Sequence, residues 1–192
     1  MPHYYFDIET TGLDPQRDEI ITIQFQKIAI DSGRPEEPLT ILKSWQQGLN
    51  EKKIIEQIYP IILTSNPFCF VPVGNNLNFE FNFLATKFNK YFGLNINPFY
   101  FHSRPHIDLK PVMILLNGGR FKGYHLLLNK SGKGADVPKW YQKKDFKKII
   151  QYIEDEAKAF TDFYTNVHNT MFNHELRRVI SQSVIKGIDE FV

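Results

Sequence analysis

Cysteine is almost absent from this sequence, and long hydrophobic runs are missing altogether. The single cysteine, Cys69, excludes an intramolecular disulfide and a zinc cluster built from cysteines. No apolar run approaches the roughly 18 residues that a membrane helix needs, and the start of the chain does not resemble a signal peptide. We therefore expect a soluble, cytoplasmic protein with no membrane partner. Because 42% of the residues are hydrophobic, the chain can build one core, and we expect a single domain over 1–192.

The net charge is also small, at +2, but it is unevenly distributed. The segment 120–148 carries nine Lys or Arg and only two Asp, which gives it a net charge of +7 and leaves the rest of the chain at −5. This asymmetry indicates either a polyanion partner such as nucleic acid or simply a solvated, lysine-rich surface. On the first interpretation, four lysines follow the phosphates of the partner: Lys139, Lys143, Lys144 and Lys147.

Hydrophobic periodicity predicts a mixed α/β domain. Three strands joined as an antiparallel meander come first, and a helix, a strand covered on both faces and further helices follow. The predicted strands are 4–9, 19–30, 39–45 and 68–73, and the predicted helices are 50–63, 79–92, 109–116, 144–168 and 172–191. Asp108 stands where its side chain could cap the helix at 109–116. Residues 117–137 contain five glycines, and we expect them to be partly loop.

Two carboxylates near the start of the chain carry the strongest chemical signal. Asp7 and Glu9 are two residues apart on a predicted strand, so their side chains lie on the same face. Like charges this close repel each other, and hard divalent cations bind such oxygen ligands. The alternative is a solvated strand edge. The run DIETTGLDP argues against that alternative, because a threonine pair and a glycine turn follow the carboxylates directly.

The longer run YFDIETTGLDP resembles the first motif of the DEDD superfamily of 3′–5′ exonucleases. The resemblance implies a ribonuclease-H-like α/β fold, in which a mixed central sheet is flanked by helices. It also implies that Asp7 and Glu9 hold two divalent cations, Mg²⁺ or Mn²⁺, and that Asp7 bridges them. By the same resemblance, Thr10, Thr11 and Leu13 contact the terminal nucleotide of the substrate.

The run VGNNLNFE, which ends at Glu80, resembles the second motif of that family, G-x-N-x-x-x-F-D. Asn76 matches the asparagine of the motif and is implied to contact the substrate. Glu80 stands where the family has Asp, and the resemblance makes it the third metal ligand. The alternative is an ordinary glutamate in the first turn of a helix, where the helix dipole favours a negative charge.

The third motif distinguishes a histidine subclass from a tyrosine subclass, Y-x-x-x-D. No acid follows a histidine at the spacing of the first subclass, whereas Tyr152 begins the run YIEDEA, which resembles the second. On a helical wheel, Glu156 lies about 40° from Tyr152 and about 60° from the apolar Ile153, while Asp155 lies about 160° from Ile153. We therefore predict Glu156 as the fourth ligand, and the resemblance implies that Tyr152 orients the attacking water.

Together these motifs resemble the proofreading domains of family B DNA polymerases and imply a metal-dependent 3′–5′ exonuclease. The favoured substrate is the 3′ end of single-stranded DNA, with RNA as a second candidate. The alternative is a nuclease-fold protein that binds nucleic acid, or a replication or repair protein, without cutting, because Glu replaces Asp at both 80 and 156. The apolar stripe of the predicted helix 172–191 is interpreted as core packing.

Overall fold

A five-stranded mixed sheet forms the centre of the protein. The computed structural model describes residues 1–48, 50–120 and 133–171. The strands lie in the order β3-β2-β1-β4-β5. Their bounds are His3–Thr10 (β1), Ile20–Ile28 (β2), Thr40–Lys43 (β3), Val71–Gly74 (β4) and Ile107–Asp108 (β5). β1, β2 and β3 pair antiparallel, and β4 and β5 join them in parallel. The predicted meander and the predicted mixed sheet of an α/β fold are both confirmed.

Six α-helices are described, and they cover both faces of the sheet. Their bounds are Glu51–Ile62 (α1), Asn78–Phe92 (α2), Phe99–His102 (α3), Lys110–Leu116 (α4), Val137–Gln142 (α5) and Phe146–Met171 (α6). α2 ends where Gly93 takes a left-handed conformation with φ 64°, which glycine adopts without steric cost. α6 is long because its apolar stripe continues to Tyr164 and beyond.

Successive side chains of β1 point to opposite faces of the sheet, so they show which helices cover each face. Phe6 and Ile8 belong to the core that α1 and α2 build. Tyr5 points to the opposite face and packs on Phe160 of α6, with ring centroids 5.1 Å apart. Asp7 and Glu9 follow Tyr5 at intervals of two residues, so the β1 carboxylates lie on the face that α6 covers.

The strand predicted at 68–73 begins later than expected. Pro67–Cys69 form one turn of 3₁₀ helix instead, since the Asn66 side chain accepts a hydrogen bond from the Phe68 amide at 3.0 Å and Pro67 fits the start of such a turn. Cys69 is consequently exposed rather than part of an apolar strand. The start of the apolar run was therefore misread, because its first two residues belong to this capped turn.

One short strand and two short α-helices were not predicted: β5, α3 and α5. β5 has two residues, too few for a periodic pattern, and α5 lies where the sequence suggested only an approach to the long helix. The predicted helix 172–191 and most of the glycine-rich loop lie outside the described residues. Within the described part of the chain, no helix is both long and apolar enough to cross a membrane.

Candidate active site

Three carboxylates from two distant parts of the chain meet at one point. Asp7 and Glu9 extend from β1, and Glu156 extends from α6, which packs over that strand. One carboxylate oxygen from each residue lies within 4.8 Å of the others. Glu9 is buried, and the other two side chains are half-buried. Because like charges at this separation repel, the arrangement suits a bound cation.

Glu80 is the fourth carboxylate that lines this site, and its environment disfavours the charged form in the metal-free protein. It lies in the first turn of α2 with only 4% of its surface exposed. Burial raises the pKa of its carboxyl well above the ordinary value, and the charge of Asp7 and a hydrogen bond to Asp7 raise it further. Among the described residues, its Oε2 atom is buried without a hydrogen-bond partner. An orphaned carboxylate oxygen next to Asp7, in the cleft that Glu9 and Glu156 also line, fits the donor set of a hard divalent cation.

The four carboxylates line an open cleft between the sheet and α6. The residues lining it are Asp7, Ile8, Glu9, Asn75, Asn76, Phe79, Glu80, Lys110, Gly134, Tyr152 and Glu156. The structure thus brings together the predicted carboxylates, the predicted tyrosine and the predicted asparagine. Asp155, the rejected alternative to Glu156, is exposed and accepts a hydrogen bond from Gln151 at 3.0 Å.

Gln24 holds the Asp7 carboxylate in place and was missed by the sequence analysis. It lies directly opposite Asp7 in the β1–β2 ladder and is fully buried. Its Nε2 donates to Asp7 Oδ2 at 2.9 Å, and its Oε1 accepts from Thr22 at 3.1 Å. A polar residue in the apolar strand IITIQFQKI was the available signal, but its partner depends on the register of the two strands.

The Tyr152 hydroxyl lies beside the carboxylates and remains protonated. Burial raises the pKa of this phenol far above its ordinary value, and the charges of Glu9 and Asp7 raise it further. Trp140 of α5 packs edge-on against its ring, with centroids 5.9 Å apart. Tyr152 can therefore donate a hydrogen bond in the cleft, but it cannot serve as a base near neutral pH.

Asp108 fastens the turn between β4 and α2, which carries Asn76 and leads directly into the helix turn that contains Glu80. Asn76 has a φ of 66°, in the left-handed region that asparagine tolerates better than most residues. Asp108 Oδ1 accepts from the Asn76 and Lys110 amides at 2.8 and 2.9 Å, and Oδ2 accepts from the Leu77 amide at 2.9 Å. The capping role predicted for Asp108 is thus shared between the start of α4 and this turn.

The loop after β1 is internally bonded and leaves Leu13 projecting. The Thr10 hydroxyl donates to the Gly12 carbonyl at 2.5 Å, and the Thr11 hydroxyl accepts from the Glu19 amide at 2.8 Å. Leu13 is 84% exposed. A second pocket beside the carboxylate cleft is lined by Ile8, Glu9, Thr10, Gly12, Leu13, Phe79, Gly134, Ala135 and Pro138. Of the three predicted nucleotide contacts, Thr10 and Leu13 line this pocket, and Thr11 supports the loop.

The four predicted track lysines are exposed and lie on α5, after it, or at the start of α6. Lys139 pairs with Asp136 at 3.3 Å, on the helix that adjoins Tyr152 through Trp140. None of the four lines the carboxylate cleft. They therefore lie outside the cleft, and a bound strand would have to extend beyond it to meet them.

A sequence profile of the RNase H superfamily matches residues 4–168, which is most of the chain. The chain belongs to the RNase H superfamily. The match contains every carboxylate of the cleft as well as Tyr152. It ends within α6, so the superfamily domain coincides with the sheet and helices that build the site.

Two curated relatives share part of this superfamily domain. The chain is 34% identical over 116 residues to DNA polymerase III PolC-type of Thermotoga petrophila, and 34% identical over 115 residues to its counterpart in Thermotoga maritima. Each match covers 53% of this chain but only 8% of the polymerase. Among solved structures, the fold is similar to E. coli exonuclease I in complex with single-stranded DNA, with a TM-score of 0.47 and 15% identity. That match covers 64% of this chain and 31% of the exonuclease.

The raised pKa of Glu80 predicts how stability depends on pH when metal is removed with EDTA. Above pH 4.5, the ordinary pKa of this group, the unfolded chain releases the proton while the folded protein keeps it. The folded state then binds more protons, so the free energy of unfolding should fall as pH rises through this window. Chemical denaturation from pH 4.5 to 8 should show this slope, and Glu80→Gln should reduce it. An unchanged slope in Glu80→Gln, relative to a Glu56→Gln control on the surface of α1, would contradict the protonated state.

Proposed function

We propose that this protein is a metal-dependent 3′–5′ exonuclease of the tyrosine subclass, acting on single-stranded DNA, with RNA as a second substrate. The observation that carries the proposal is the convergence of Asp7, Glu9 and Glu156 within 4.8 Å, with the buried Glu80 against Asp7. The similarity to part of two DNA polymerases favours a nucleic acid substrate. The favoured location is cytoplasmic, and a replication or repair protein is a candidate partner.

The four carboxylates would hold two divalent cations, Mg²⁺ or Mn²⁺. Divalent cations at such a site lower the pKa of water and stabilise the negative charge of a phosphodiester under attack. Asp7 accepts a hydrogen bond from Gln24, is hydrogen-bonded to Glu80 and lies next to Glu9 and Glu156. We therefore propose Asp7 as the ligand that both cations would share. Glu80 must lose its proton when a cation binds, since only the carboxylate form is a good ligand.

Tyr152 is proposed to orient the attacking water by donating a hydrogen bond from its phenol. The raised pKa rules out the phenolate as the base at neutral pH, so the proton of the water must leave by another path. The second pocket, beside the cleft, is proposed to hold the terminal nucleotide. There the exposed Leu13 contacts the base, and Thr10 and Thr11 shape the loop that carries it.

The direct test is incubation of purified protein with end-labelled single-stranded DNA and RNA in Mg²⁺, Mn²⁺ or EDTA. We expect stepwise shortening of a 5′-labelled strand with either cation and none in EDTA. A 3′-phosphorothioate linkage should block shortening if hydrolysis proceeds from the 3′ end. Binding without shortening in every metal would instead favour a nuclease-fold protein that binds nucleic acid without cutting it.

The exposed lysines outside the cleft predict a salt-dependent contribution to nucleic-acid binding. The variant replaces four lysines with glutamine: Lys139, Lys143, Lys144 and Lys147. Because each lost phosphate contact reduces counterion release, the slope of log affinity against log salt should flatten by up to about 0.7 per contact on a single strand. Fluorescence anisotropy across a salt series measures this slope. The rate at saturating substrate should change far less, since these side chains lie outside the carboxylate cleft.

A double glutamine variant at Lys52 and Lys53, exposed on α1, serves as the control for lost surface charge. It should leave the salt slope unchanged. Equal slopes in the wild-type protein and in the quadruple variant would show that the four lysines are a solvated surface and that the strand follows another path.

A further inference from the structure

Lys110 brings a positive charge into a cleft that is otherwise rich in carboxylates. It is the first residue of α4, and its Nζ donates a hydrogen bond to Asn76 Oδ1 at 2.6 Å. Among the described residues that line the cleft, it is the only one with a cationic side chain. None of the three sequence motifs includes Lys110, and the tertiary structure alone brings it to the site.

The position of Lys110 is set by the same contacts that fasten the turn before α2. Asp108 accepts hydrogen bonds from the backbone amides of both Lys110 and Asn76, at 2.9 and 2.8 Å. The start of α4 and the turn before α2 are therefore tied to one carboxylate. The backbone of Lys110 is consequently held in place relative to the proposed metal ligands. This limits the conformational entropy that is lost when the Lys110 side chain binds a ligand.

The contact between Lys110 and Asn76 also determines what Asn76 can offer to a ligand. An ammonium group only donates hydrogen bonds, so the amide atom that faces it must be the oxygen. The NH₂ group of Asn76 is then the donor that this side chain presents. An ammonium and an amide NH₂ on one wall of a cleft form a donor pair that suits the oxygens of a phosphate.

We propose that Lys110 is a substrate-binding residue that contacts a phosphate oxygen of the bound strand, with Asn76 as the second donor. The proposal rests on the proposed nuclease function and adds a substrate contact at the start of α4. Lys110 supplies positive charge where the substrate brings negative charge, while the carboxylates hold the cations. The four exposed lysines outside the cleft then contact more distant phosphates of the strand.

The test compares Lys110→Met, which keeps the length of the side chain, with Lys110→Arg, which keeps its charge. Affinity for labelled dT₁₂ and rU₁₂ is measured by anisotropy in EDTA and again in Ca²⁺. We expect Lys110→Met to weaken binding by about ten- to a hundredfold, the range of a charged hydrogen bond, and Lys110→Arg to restore most of it. Lys53→Met, on the surface of α1, should bind like the wild-type protein.

Binding of Mn²⁺ without nucleic acid separates a substrate contact from a purely structural role. Removing a positive charge near the carboxylates removes its repulsion of a divalent cation, so Lys110→Met should bind Mn²⁺ as tightly as the wild-type protein or more tightly. If Lys110 only supports the turn before α2, and through it the position of Glu80, the affinity for Mn²⁺ should instead fall together with the affinity for nucleic acid. Isothermal titration calorimetry with Mn²⁺ alone decides between the two.

The proposal is overturned if Lys110→Met binds both oligonucleotides normally, or if its Mn²⁺ affinity falls in parallel with its oligonucleotide affinity. A wild-type protein that binds neither oligonucleotide also overturns it. A wild-type protein that binds them but never shortens them refutes the exonuclease while leaving this result valid, since binding in EDTA does not depend on cleavage.

Discussion

Asp7→Ala is expected to reduce hydrolysis by at least about a thousandfold while leaving the protein folded. Asp7 lies within 4.8 Å of the Glu9 and Glu156 oxygens and shares a hydrogen bond with Glu80, so its loss removes the ligand at the centre of the cluster. Metal catalysis supplies several kcal/mol of transition-state stabilisation, and each 1.36 kcal/mol corresponds to about a tenfold change in rate. Single-turnover cleavage of labelled DNA measures the loss.

The melting temperature in EDTA shows whether this loss is chemical or structural. Asp7→Ala removes one of several repelling carboxylates, so the metal-free variant should melt at or above the temperature of the wild-type protein. Asp7→Asn keeps an oxygen that can accept the hydrogen bond from Gln24 and should be equally inactive. Asp162→Ala, exposed on α6, is the control for loss of an acidic side chain. A normal metal-dependent rate in Asp7→Ala would exclude this cluster as the catalytic centre.

Glu156→Ala is expected to lose most activity, about a hundredfold or more, whereas Asp155→Ala should stay within about twofold of the wild-type rate. The two residues are neighbours on α6 with the same charge, so each is the matched control for the other. Glu156 lines the cleft, while Asp155 is exposed and accepts a hydrogen bond from Gln151. A helix places consecutive side chains about 100° apart, and only one of the two can therefore reach the β1 carboxylates.

The readouts are the cleavage rate and the affinity for Mn²⁺. Both should fall in Glu156→Ala and stay unchanged in Asp155→Ala. The reverse ranking would show that the helical-wheel argument selected the wrong face of α6. Loss of activity in Glu156→Ala with unchanged Mn²⁺ binding would assign Glu156 to the substrate rather than to the metal.

Local periodicity was sufficient to place the predicted carboxylates on the correct elements. Alternation along a strand puts Asp7 and Glu9 on one face whatever the rest of the fold does. The 3.6-residue period of a helix puts Glu156 beside Tyr152 in the same way. The order of the first three strands also followed from local signals, because short connections favour antiparallel neighbours. Such features depend on contacts between residues close together in the chain, and a single sequence contains that information.

Contacts between distant residues decided the rest of the site. Gln24 supports Asp7 because of the register of β1 with β2, and Asp108 and Lys110 reach Asn76 because β5 pairs with β4. β5 has only two residues, so no periodic pattern marks it. The raised pKa of Glu80 likewise follows from its burial and from the charge of Asp7, a contact that exists only in the folded chain.

The sequence by itself determined on which faces of their elements the predicted carboxylates lie, because backbone geometry imposes those periodicities locally. Only the tertiary structure decided what surrounds the carboxylates: the amide of Gln24 against Asp7, the phenol of Tyr152 near Glu9 and the ammonium of Lys110 at the start of α4. These neighbours lie at least 17 residues along the chain from the carboxylates of β1 that they adjoin. Their proximity depends on how the sheet and α6 pack, which is a property of the whole fold rather than of any segment.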